Sequence, residues 1–235
     1  MIRKLDKLDI LIFGAHPDDA EIGMGGTIAK HVHAGLHVGI CDLTAAEMSS
    51  NGTVELRRQE AAAASAVLGL SARTCLGLPD RGLSFDESQI GAITAEIRRF
   101  RPRIVFAPYW NDRHPDHNQC SRMVEEAVFN AKLLRYRPEL PAWQVSQLVF
   151  YYINDVENVT LTVDITPFQE TKRRALEAYR SQFAPVEAGE DRVATPLNQR
   201  YVERVEARDA LLGQSMSCAY AEGFAMKRPF AVDLF

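Results

Sequence analysis

The sequence has few cysteines, no long apolar run and no excess of positive charge. Its 235 residues include four cysteines without CxxC spacing, namely Cys41, Cys75, Cys120 and Cys218. This pattern argues against a disulfide framework or a structural zinc knuckle, and it is typical of reduced thiols in the cytoplasm. No apolar run approaches the roughly 20 residues of a membrane-spanning helix, and a net charge of -4 provides no basic field for nucleic acid. We therefore expect a cytoplasmic protein whose partners include neither a membrane nor a nucleic acid.

The composition is that of an ordinary globular protein, with 46% hydrophobic and 25% charged residues. No internal repeat or low-complexity tract interrupts it. Asp6 and Asp9 fall where a signal peptide would have to be apolar, so we predict no targeting segment. The length suits one large domain, and we expect residues 1–235 to form it.

Apolar runs typical of buried strands alternate with helical patterns through the first half of the chain. The predicted strands cover residues 8–15, 36–43, 73–78 and 103–109. The predicted helices cover residues 20–35, 53–68, 86–100 and about 118–132. This alternation implies right-handed crossovers and a doubly wound parallel sheet. With the common strand order 3-2-1-4-5, strands one and four are neighbours at the topological switch point.

The second half of the chain departs from this alternation. Residues 147–153 and 161–165 have strand patterns separated by only a short turn, which favours an antiparallel hairpin. Residues 167–183 and the segment beginning at Tyr201 are predicted helices. The predicted fold is therefore α/β and Rossmann-like, a doubly wound, mostly parallel sheet with a C-terminal antiparallel hairpin and helices. We also expect the arginines that end the third helix to form a solvated cap: Arg98, Arg99, Arg101 and Arg103.

Two short motifs follow the two strands predicted to be neighbours. AHPDD, residues 15–19, follows strand one, and HPDH, residues 114–117, follows strand four. His16, Asp19 and His117 could hold one Zn²⁺ and leave coordination positions open for water and substrate, as in catalytic zinc sites. The same ligand set accepts other divalent ions. Asp18 remains beside the metal, where a general base is needed.

Each motif also has a structural explanation. Asp18 and Asp19 could cap the helix that follows them, and HPDH could be a proline-containing helix start. Helix capping is a reasonable explanation for either motif alone. It explains less well why both motifs occur at equivalent strand ends. The glycines of GMGGT, residues 23–27, have the wrong spacing for a dinucleotide-binding loop, so close helix packing is the better explanation for them.

Arg57 lies in the first turn of a predicted helix, where a cation opposes the helix dipole. One explanation is a salt bridge to Glu55 or Glu60. The other is that Arg57 faces the pocket and binds an anionic part of the substrate. The physical arguments do not separate these two explanations.

The two motifs resemble the LmbE-like, or PIG-L, family of zinc-dependent N-acetylglucosamine deacetylases, which has AHPDD after strand one and HPDH after strand four. Further segments resemble the members of that family that act in bacillithiol biosynthesis: GICDLTAAEMSSNGTVELR, LPDRGL, VFAPYWNDRHPDH, YRSQF, TPLNQRYVE and YAEGF. The resemblance runs nearly end to end. It is interrupted at YYINDVENVT, residues 151–160, where related chains usually have Gly-Phe-His after the asparagine.

The resemblance implies roles for several residues, all within the matching motifs. His16, Asp19 and His117 would ligate zinc, and Asp18 would be the general base. His114 would stabilise the oxyanion or protonate the amine, Asp116 would orient a histidine, and Tyr201, on a mobile loop, would complete the oxyanion site. Arg57 and Arg113 would bind the substrate. The arginines would bind malate carboxylates, with Arg113 as a second candidate beside Arg57.

The implied activity is removal of the acetyl group from N-acetylglucosaminyl-malate, which gives glucosaminyl-malate and acetate. The implied assembly is a homo-oligomer, a hexamer, with one zinc ion per chain and a small sugar amide as substrate. Two alternatives keep the chemistry: deacetylation of another N-acetylglucosamine derivative, such as a chitobiose type, and amidase action on a thiol conjugate. A third alternative is a non-catalytic Rossmann-like binding module.

Overall fold

The computed structural model describes residues 7–187, 189 and 191–229. These residues contain seven strands: β1 (Ile10–Gly14), β2 (Val38–Thr44), β3 (Ala72–Leu78), β4 (Ile104–Pro108), β5 (Gln147–Tyr151), β6 (Leu161–Asp164) and β7 (Ala221–Ala225). The same residues contain seven α-helices: α1 (Asp19–His33), α2 (Val54–Leu68), α3 (Glu87–Phe100), α4 (Pro115–Ala131), α5 (Gln169–Glu177), α6 (Arg180–Phe183) and α7 (Tyr201–Ser215). None of the described helices is both long and apolar enough to cross a membrane.

The strands form one mixed sheet in the order β3-β2-β1-β4-β5-β7-β6. The first five are parallel, and Ile10 of β1 pairs with Val38 of β2 on one side and Ile104 of β4 on the other. The predicted order 3-2-1-4-5 is therefore confirmed. Because β1 and β4 are neighbours without being successive in the chain, the loops that follow them meet at the switch point.

Both faces of β1 are covered, as its continuous apolar run predicts. Leu11 and Phe13 belong to one core cluster, which they share with α3 and α4. Ile10 and Ile12 point to the opposite face, into a cluster built with α1, α2, α5 and α7. This alternation fixes the strand in register, so the residues that follow it have a defined position at the sheet edge.

The antiparallel part of the sheet is confirmed, but the predicted hairpin is wrong. β5 and β6 do not pair with each other; β7 lies between them and is antiparallel to both. β7 is fully buried although it carries Glu222 in a run of five residues. A charged residue in so short a segment argues against a buried strand. The sequence does not show that Glu222 is paired, because its buried partner, Lys172, lies far away in the chain.

The predicted helix boundaries agree with the structure at α2 and α3. Thr53 caps α2 by accepting a hydrogen bond from the amide of Leu56 at 3.1 Å, and Asp86 caps α3 in the same way. α4 begins at Pro115, about three residues earlier than predicted. The predicted helix over residues 167–183 is divided into a 3-10 turn, α5 and α6.

Arg98 does not belong to a solvated cap, so that prediction is wrong for this residue. Its side chain is buried and donates hydrogen bonds to five backbone carbonyls, those of Asn130, Ala131, Leu133, Arg137 and Leu140. A guanidinium has five N–H donors in a fixed fork. Arg98 therefore provides hydrogen-bond donors for the carbonyls at the end of α4 and in the connection that follows.

The glycines of the GMGGT segment lie within α1 and serve close packing. A Cβ on Gly23 would come within 2.2 Å of the Tyr151 ring, and one on Gly26 within 2.7 Å of Ile165. α1 is kinked at Met24, whose φ and ψ are −151° and 25°. The Glu222 carboxylate accepts hydrogen bonds from the amides of Gly26 and Thr27, just after the kink.

Candidate active site

The loops after β1 and β4 form the floor of a cavity of about 350 Å³ at the carboxyl edge of the sheet. Loops after β2 and β3 and the start of α7 complete its walls. Asp116 lies just behind the wall, and the other site residues expected from the sequence all line the cavity: His16, Asp18, Asp19, Arg57, Arg113, His114, His117 and Tyr201. The structure thus brings together residues that are up to 185 positions apart.

Three imidazoles and one carboxylate lie at the centre of the cavity floor. The ring centroids of His16 and His114 are 4.9 Å apart, those of His16 and His117 5.6 Å, and those of His114 and His117 4.7 Å. Asp19 Oδ1 is 3.2 Å from His117 Nε2, and its Oδ2 is 3.7 Å from His16 Nδ1. The two oxygens of Asp19 therefore face His16 and His117, the two histidines expected to bind a metal ion together with it.

Other carboxylates approach the far nitrogens of these imidazoles. His16 Nε2 is 3.2 Å from Asp80 Oδ1 and 3.6 Å from Asp116 Oδ2. His117 Nδ1 is 3.0 Å from Asp112 Oδ1. A carboxylate on the remote nitrogen fixes the orientation and tautomer of a metal-binding histidine. Asp116 thus contacts His16, which fits the expectation that it orients a histidine.

The donor set fits a divalent cation. Burial lowers the pKa of His117, but Asp19 and Asp112 outweigh it and raise the pKa to about 9. The pKa of His16 is also raised, because Asp116, Asp19 and Asp80 outweigh its burial. Carboxylates that hold protons on both imidazoles would equally hold a metal ion in place of those protons. Among the described residues, the groups of three whose ligating atoms all lie within 4.8 Å of one another are His16 with His114 and His117, and His16 with Asp80 and Asp116; the expected set of His16, Asp19 and His117 is not one of these groups.

Asp18 has a strained backbone and does not cap α1. Its φ is 119°, in the region that favours glycine, and its side chain makes no capping hydrogen bond. Asp18 Oδ2 instead accepts a hydrogen bond from Arg57 Nη1 at 2.9 Å. Burial raises the pKa of Asp18, while Arg57 acts in the opposite direction. Backbone strain of this kind clusters at functional sites.

Arg57 is buried, and its guanidinium holds the loop that carries Asp18. It donates to the Pro17 carbonyl at 2.7 Å and to Ser49 Oγ at 3.0 Å, in addition to Asp18. It pairs with neither Glu55 nor Glu60; Glu55 forms its salt bridge with Arg58 instead. Arg57 therefore faces the cavity, but its charge is already engaged by Asp18.

His114 and Tyr201 both line the cavity, His114 just before α4 and Tyr201 at the start of α7. His114 Nδ1 accepts a hydrogen bond from the amide of Asp116 at 3.2 Å, so the neutral ring carries its proton on Nε2. The Tyr201 hydroxyl donates to Asn154 Oδ1 at 3.2 Å. Burial raises the pKa of Tyr201 to about 12, so its hydroxyl remains a donor at neutral pH.

Asp80, Asp112 and Asn154 were not expected as site residues. Asp112 accepts hydrogen bonds from the side chain of Asn154 at 2.8 Å and from the amide of His114 at 2.8 Å, in addition to its contact with His117. Because Asn154 also contacts Tyr201, one hydrogen-bonded chain joins Tyr201 to His117. The only signal in the sequence was that Asp80 and Asp112 lie inside segments that carried the resemblance, LPDRGL and NDRHPDH.

The fold and the donor set define an α/β protein with a potential metal-binding cluster of histidines and aspartates at the switch point of its sheet. Residues 11–128, half of the chain, match the PIG-L family, described as GlcNAc-PI de-N-acetylase. The chain belongs to this PIG-L, or LmbE-like, family.

Named relatives extend the similarity beyond that region. The diacetylchitobiose deacetylase of Thermococcus kodakarensis is 31% identical over 193 residues, which cover 76% of this chain and 71% of the relative. A probable N-acetyl-alpha-D-glucosaminyl L-malate deacetylase 2 of Bacillus subtilis is 27% identical over 189 residues, which cover 75% of this chain and 84% of the relative. The crystal structure of the conserved protein TT1542 from Thermus thermophilus matches with a TM-score of 0.88 at 39% identity, covering 96% of this chain and 97% of that one.

Proposed function

We propose that this chain is a zinc-dependent N-deacetylase of an N-acetylglucosamine derivative, and that its substrate is N-acetylglucosaminyl-malate. One observation carries the proposal: a buried carboxylate, Asp18, lies in the same cavity as His16, Asp19 and His117. Hydrolysis of an amide needs an activated water, stabilisation of the oxyanion and a proton for the leaving nitrogen. The cavity contains a group suited to each requirement.

His16, Asp19 and His117 would hold the ion, which supplies Lewis-acid polarisation of the acetyl carbonyl and lowers the pKa of a water molecule. Asp18 takes the proton of that water at Oδ1, because its Oδ2 already accepts a hydrogen bond from Arg57. The water oxygen forms a bond to the acetyl carbon as the carbonyl π electrons move to the oxygen. In this proposal Arg57 orients the base through its hydrogen bond to Asp18, and its expected contact with the substrate stays a prediction.

His114 and Tyr201 are the donors for the resulting oxyanion. The hydrogen bond from Asp116 leaves the proton of neutral His114 on Nε2, which suits donation to an oxyanion. The tetrahedral species then loses its C–N bond, the oxyanion electrons re-form the carbonyl, and the nitrogen takes the proton held by Asp18. The products are the free amine, glucosaminyl-malate, and acetic acid, which becomes acetate by giving its proton to the amine or to water.

Two relatives support the substrate class. The Bacillus subtilis relative is named for the malate conjugate, and the Thermococcus relative, named for diacetylchitobiose, is slightly more similar. Deacetylation of a chitobiose-type sugar is therefore the second candidate. Both candidates share the acetamido sugar and differ in the group attached to it.

The test is release of acetate from N-acetylglucosaminyl-malate, N,N'-diacetylchitobiose and plain N-acetylglucosamine by the zinc-loaded protein. We expect efficient cleavage of the malate conjugate, weak cleavage of the two neutral sugars, and loss of all activity in Asp18→Asn with zinc content unchanged. Asp164→Asn, at an exposed position on β6, is the matched control and should keep full activity.

Equal or better activity on diacetylchitobiose would replace the malate assignment with the second candidate. Full activity in Asp18→Asn would remove Asp18 as the base, and no cleavage of any sugar by the zinc-loaded protein would favour a non-catalytic module. The homo-hexamer and the cytoplasmic location expected from the sequence stay predictions, which light scattering and cell fractionation would test.

A further inference from the structure

A second cavity, of about 390 Å³, adjoins the catalytic cavity. The two share five lining residues: Arg113, Ile153, Asn154, Pro196 and Tyr201. The second cavity continues along α7, where Arg204 and Arg208 line it. A group attached to a sugar bound in the catalytic cavity could therefore extend into the second cavity past Tyr201.

The arginines that line these cavities differ in whether they are already paired, and Arg113 lines both cavities. In the catalytic cavity, Arg57 pairs with Asp18 and Arg81 pairs with Asp116. In the second cavity, the exposed side chains of Arg113 and Arg204 form no hydrogen bond or ion pair with any described residue. Their charges are available to a ligand, whereas those of the first two arginines are not.

Helical spacing places the second cavity's cations together. Tyr201, Arg204 and Arg208 are separated by three and four positions along α7, so they lie on one face of the helix. Arg208 donates to the carbonyls of Ile22 and Ile153 at 2.7 and 2.9 Å, and its Nε lies 3.3 Å from Asp209, so its guanidinium is already engaged within the protein. Asp155 is the one acidic residue that lines this cavity among the described residues. The two cations without a partner, Arg113 and Arg204, therefore face one anion, so the cavity favours a negatively charged group.

We propose that the second cavity is the subsite for an anionic aglycone, and that Arg113 and Arg204 bind its carboxylates. The proposal rests on the proposed deacetylase function, because it assigns the part of the substrate that does not react. Guanidinium groups bind carboxylates with two parallel hydrogen bonds, a geometry that lysine lacks. Arg113 was expected to bind malate, whereas Arg204 had no assigned role. Arg57, the other expected malate ligand, lines the catalytic cavity, where it pairs with Asp18, and does not line the second cavity.

The test compares three substrates that share the acetamido sugar: N-acetylglucosaminyl-malate, N-acetylglucosamine 1-phosphate and the neutral methyl α-glycoside. The measured quantity is kcat/KM for each in the wild type, Arg113→Gln, Arg204→Gln and the control Arg122→Gln. Arg122 is an exposed arginine on α4 that lines neither cavity.

We expect the preference for the malate conjugate over the methyl glycoside to fall about tenfold or more in Arg113→Gln and in Arg204→Gln, through KM. The preference should stay within about twofold of the wild type in the control, and it should weaken with added salt in the wild type. A preference that survives both substitutions, or equal efficiency on all three substrates in the wild type, would overturn the subsite and leave the deacetylase standing. A wild type that favours the phosphate over malate would support an anion subsite and overturn malate as its occupant.

A separate measurement keeps the proposal testable if no substrate is cleaved. Calorimetry with L-malate alone reports binding to the second cavity without any reaction. Binding in the wild type that is lost in Arg204→Gln and kept in Arg122→Gln would support the subsite even though the deacetylase function had failed. Absence of L-malate binding in the wild type would overturn it.

Discussion

Two clusters of buried charge in this molecule are balanced in different ways. In the first, Lys172 Nζ lies 2.6 Å from Asp209 and 2.7 Å from Glu222, and all three side chains are fully buried. Glu222 also accepts hydrogen bonds from two amides of α1. The chain itself supplies the cation and the donors of this cluster, which we call the closed cluster.

The second cluster is built from His16, Asp19 and His117, and we call it the open cluster. Its imidazoles are surrounded by carboxylates, and the nearest arginines, Arg57 and Arg81, each engage a single aspartate at its edge. Its remaining donor atoms face a cavity. The comparison teaches that full internal pairing marks a structural cluster, whereas an excess of one kind of donor at a cavity marks a site for an external cation. Four predictions test this distinction.

The largest expected effect is on folding, at the closed cluster. Lys172→Met should lower the free energy of unfolding by about 3–5 kcal/mol, because it leaves the buried Glu222 carboxylate without its cation and leaves Asp209 with only Arg208, 3.3 Å away. Thermal and urea unfolding would measure this, with the exposed Lys132→Met as control. Adding Asp209→Leu to Lys172→Met should recover part of the loss. A decrease no larger than that of the control would show that the closed cluster is not held by its ion pairs.

The next effect is kinetic and belongs to the open cluster's cavity. Tyr201→Phe should reduce kcat about 10²–10³-fold, the usual cost of removing one oxyanion donor. The melting temperature should change little, because the ring that stacks on Phe183 is kept. Steady-state acetate release would measure the effect, with Tyr220→Phe as control. Unchanged kcat in Tyr201→Phe would remove this tyrosine from the reaction.

A smaller effect is expected where the open cluster meets its supporting residues. Asp112→Asn should weaken metal affinity about 10–100-fold, because Asp112 orients His117 through Nδ1. Competition with a chromophoric chelator would measure affinity independently of activity, and the melting temperature of the metal-free protein would report the fold. If affinity were unchanged while that temperature fell, Asp112 would have a structural role only.

The smallest effect concerns the helix that carries Arg57. Thr53→Ala should cost about 1 kcal/mol of stability, since it removes the side-chain cap of α2. Thr53→Ser keeps the hydroxyl and should restore most of that stability in urea unfolding. A loss of activity in Thr53→Ala that exceeds its loss of stability would show that the start of α2 also positions Arg57 and Asp18.

The parallel half of the sheet was predictable because its signals are local. Strand runs, helix caps such as Thr53, and the two motifs after β1 and β4 each occupy a few consecutive residues. Topology then followed from the handedness of crossovers. The antiparallel half was less predictable, since β7 carries Glu222 and its burial depends on Lys172, 50 positions earlier.

The same limit applies to the candidate site. The residues at its centre were expected, because strand ends and spacing locate them. The partners of those residues were not: Arg57 binds Asp18 rather than a glutamate of its own helix, and Asp80 and Asp112 support the histidines from separate loops. The spacing of charged residues in a sequence does not identify the residues with which they pair in the folded protein.

The sequence by itself determined the order of the five parallel strands, the meeting of the two histidine motifs at the switch point, and the membership of the family that those motifs indicate. Only the tertiary structure decided where β7 inserts, why Arg98 is buried, and which arginines remain unpaired beside the candidate active site. The physical reason is that periodicity and capping act over a few residues. The pairing of buried charges, in contrast, is settled by groups that meet only after the chain has folded.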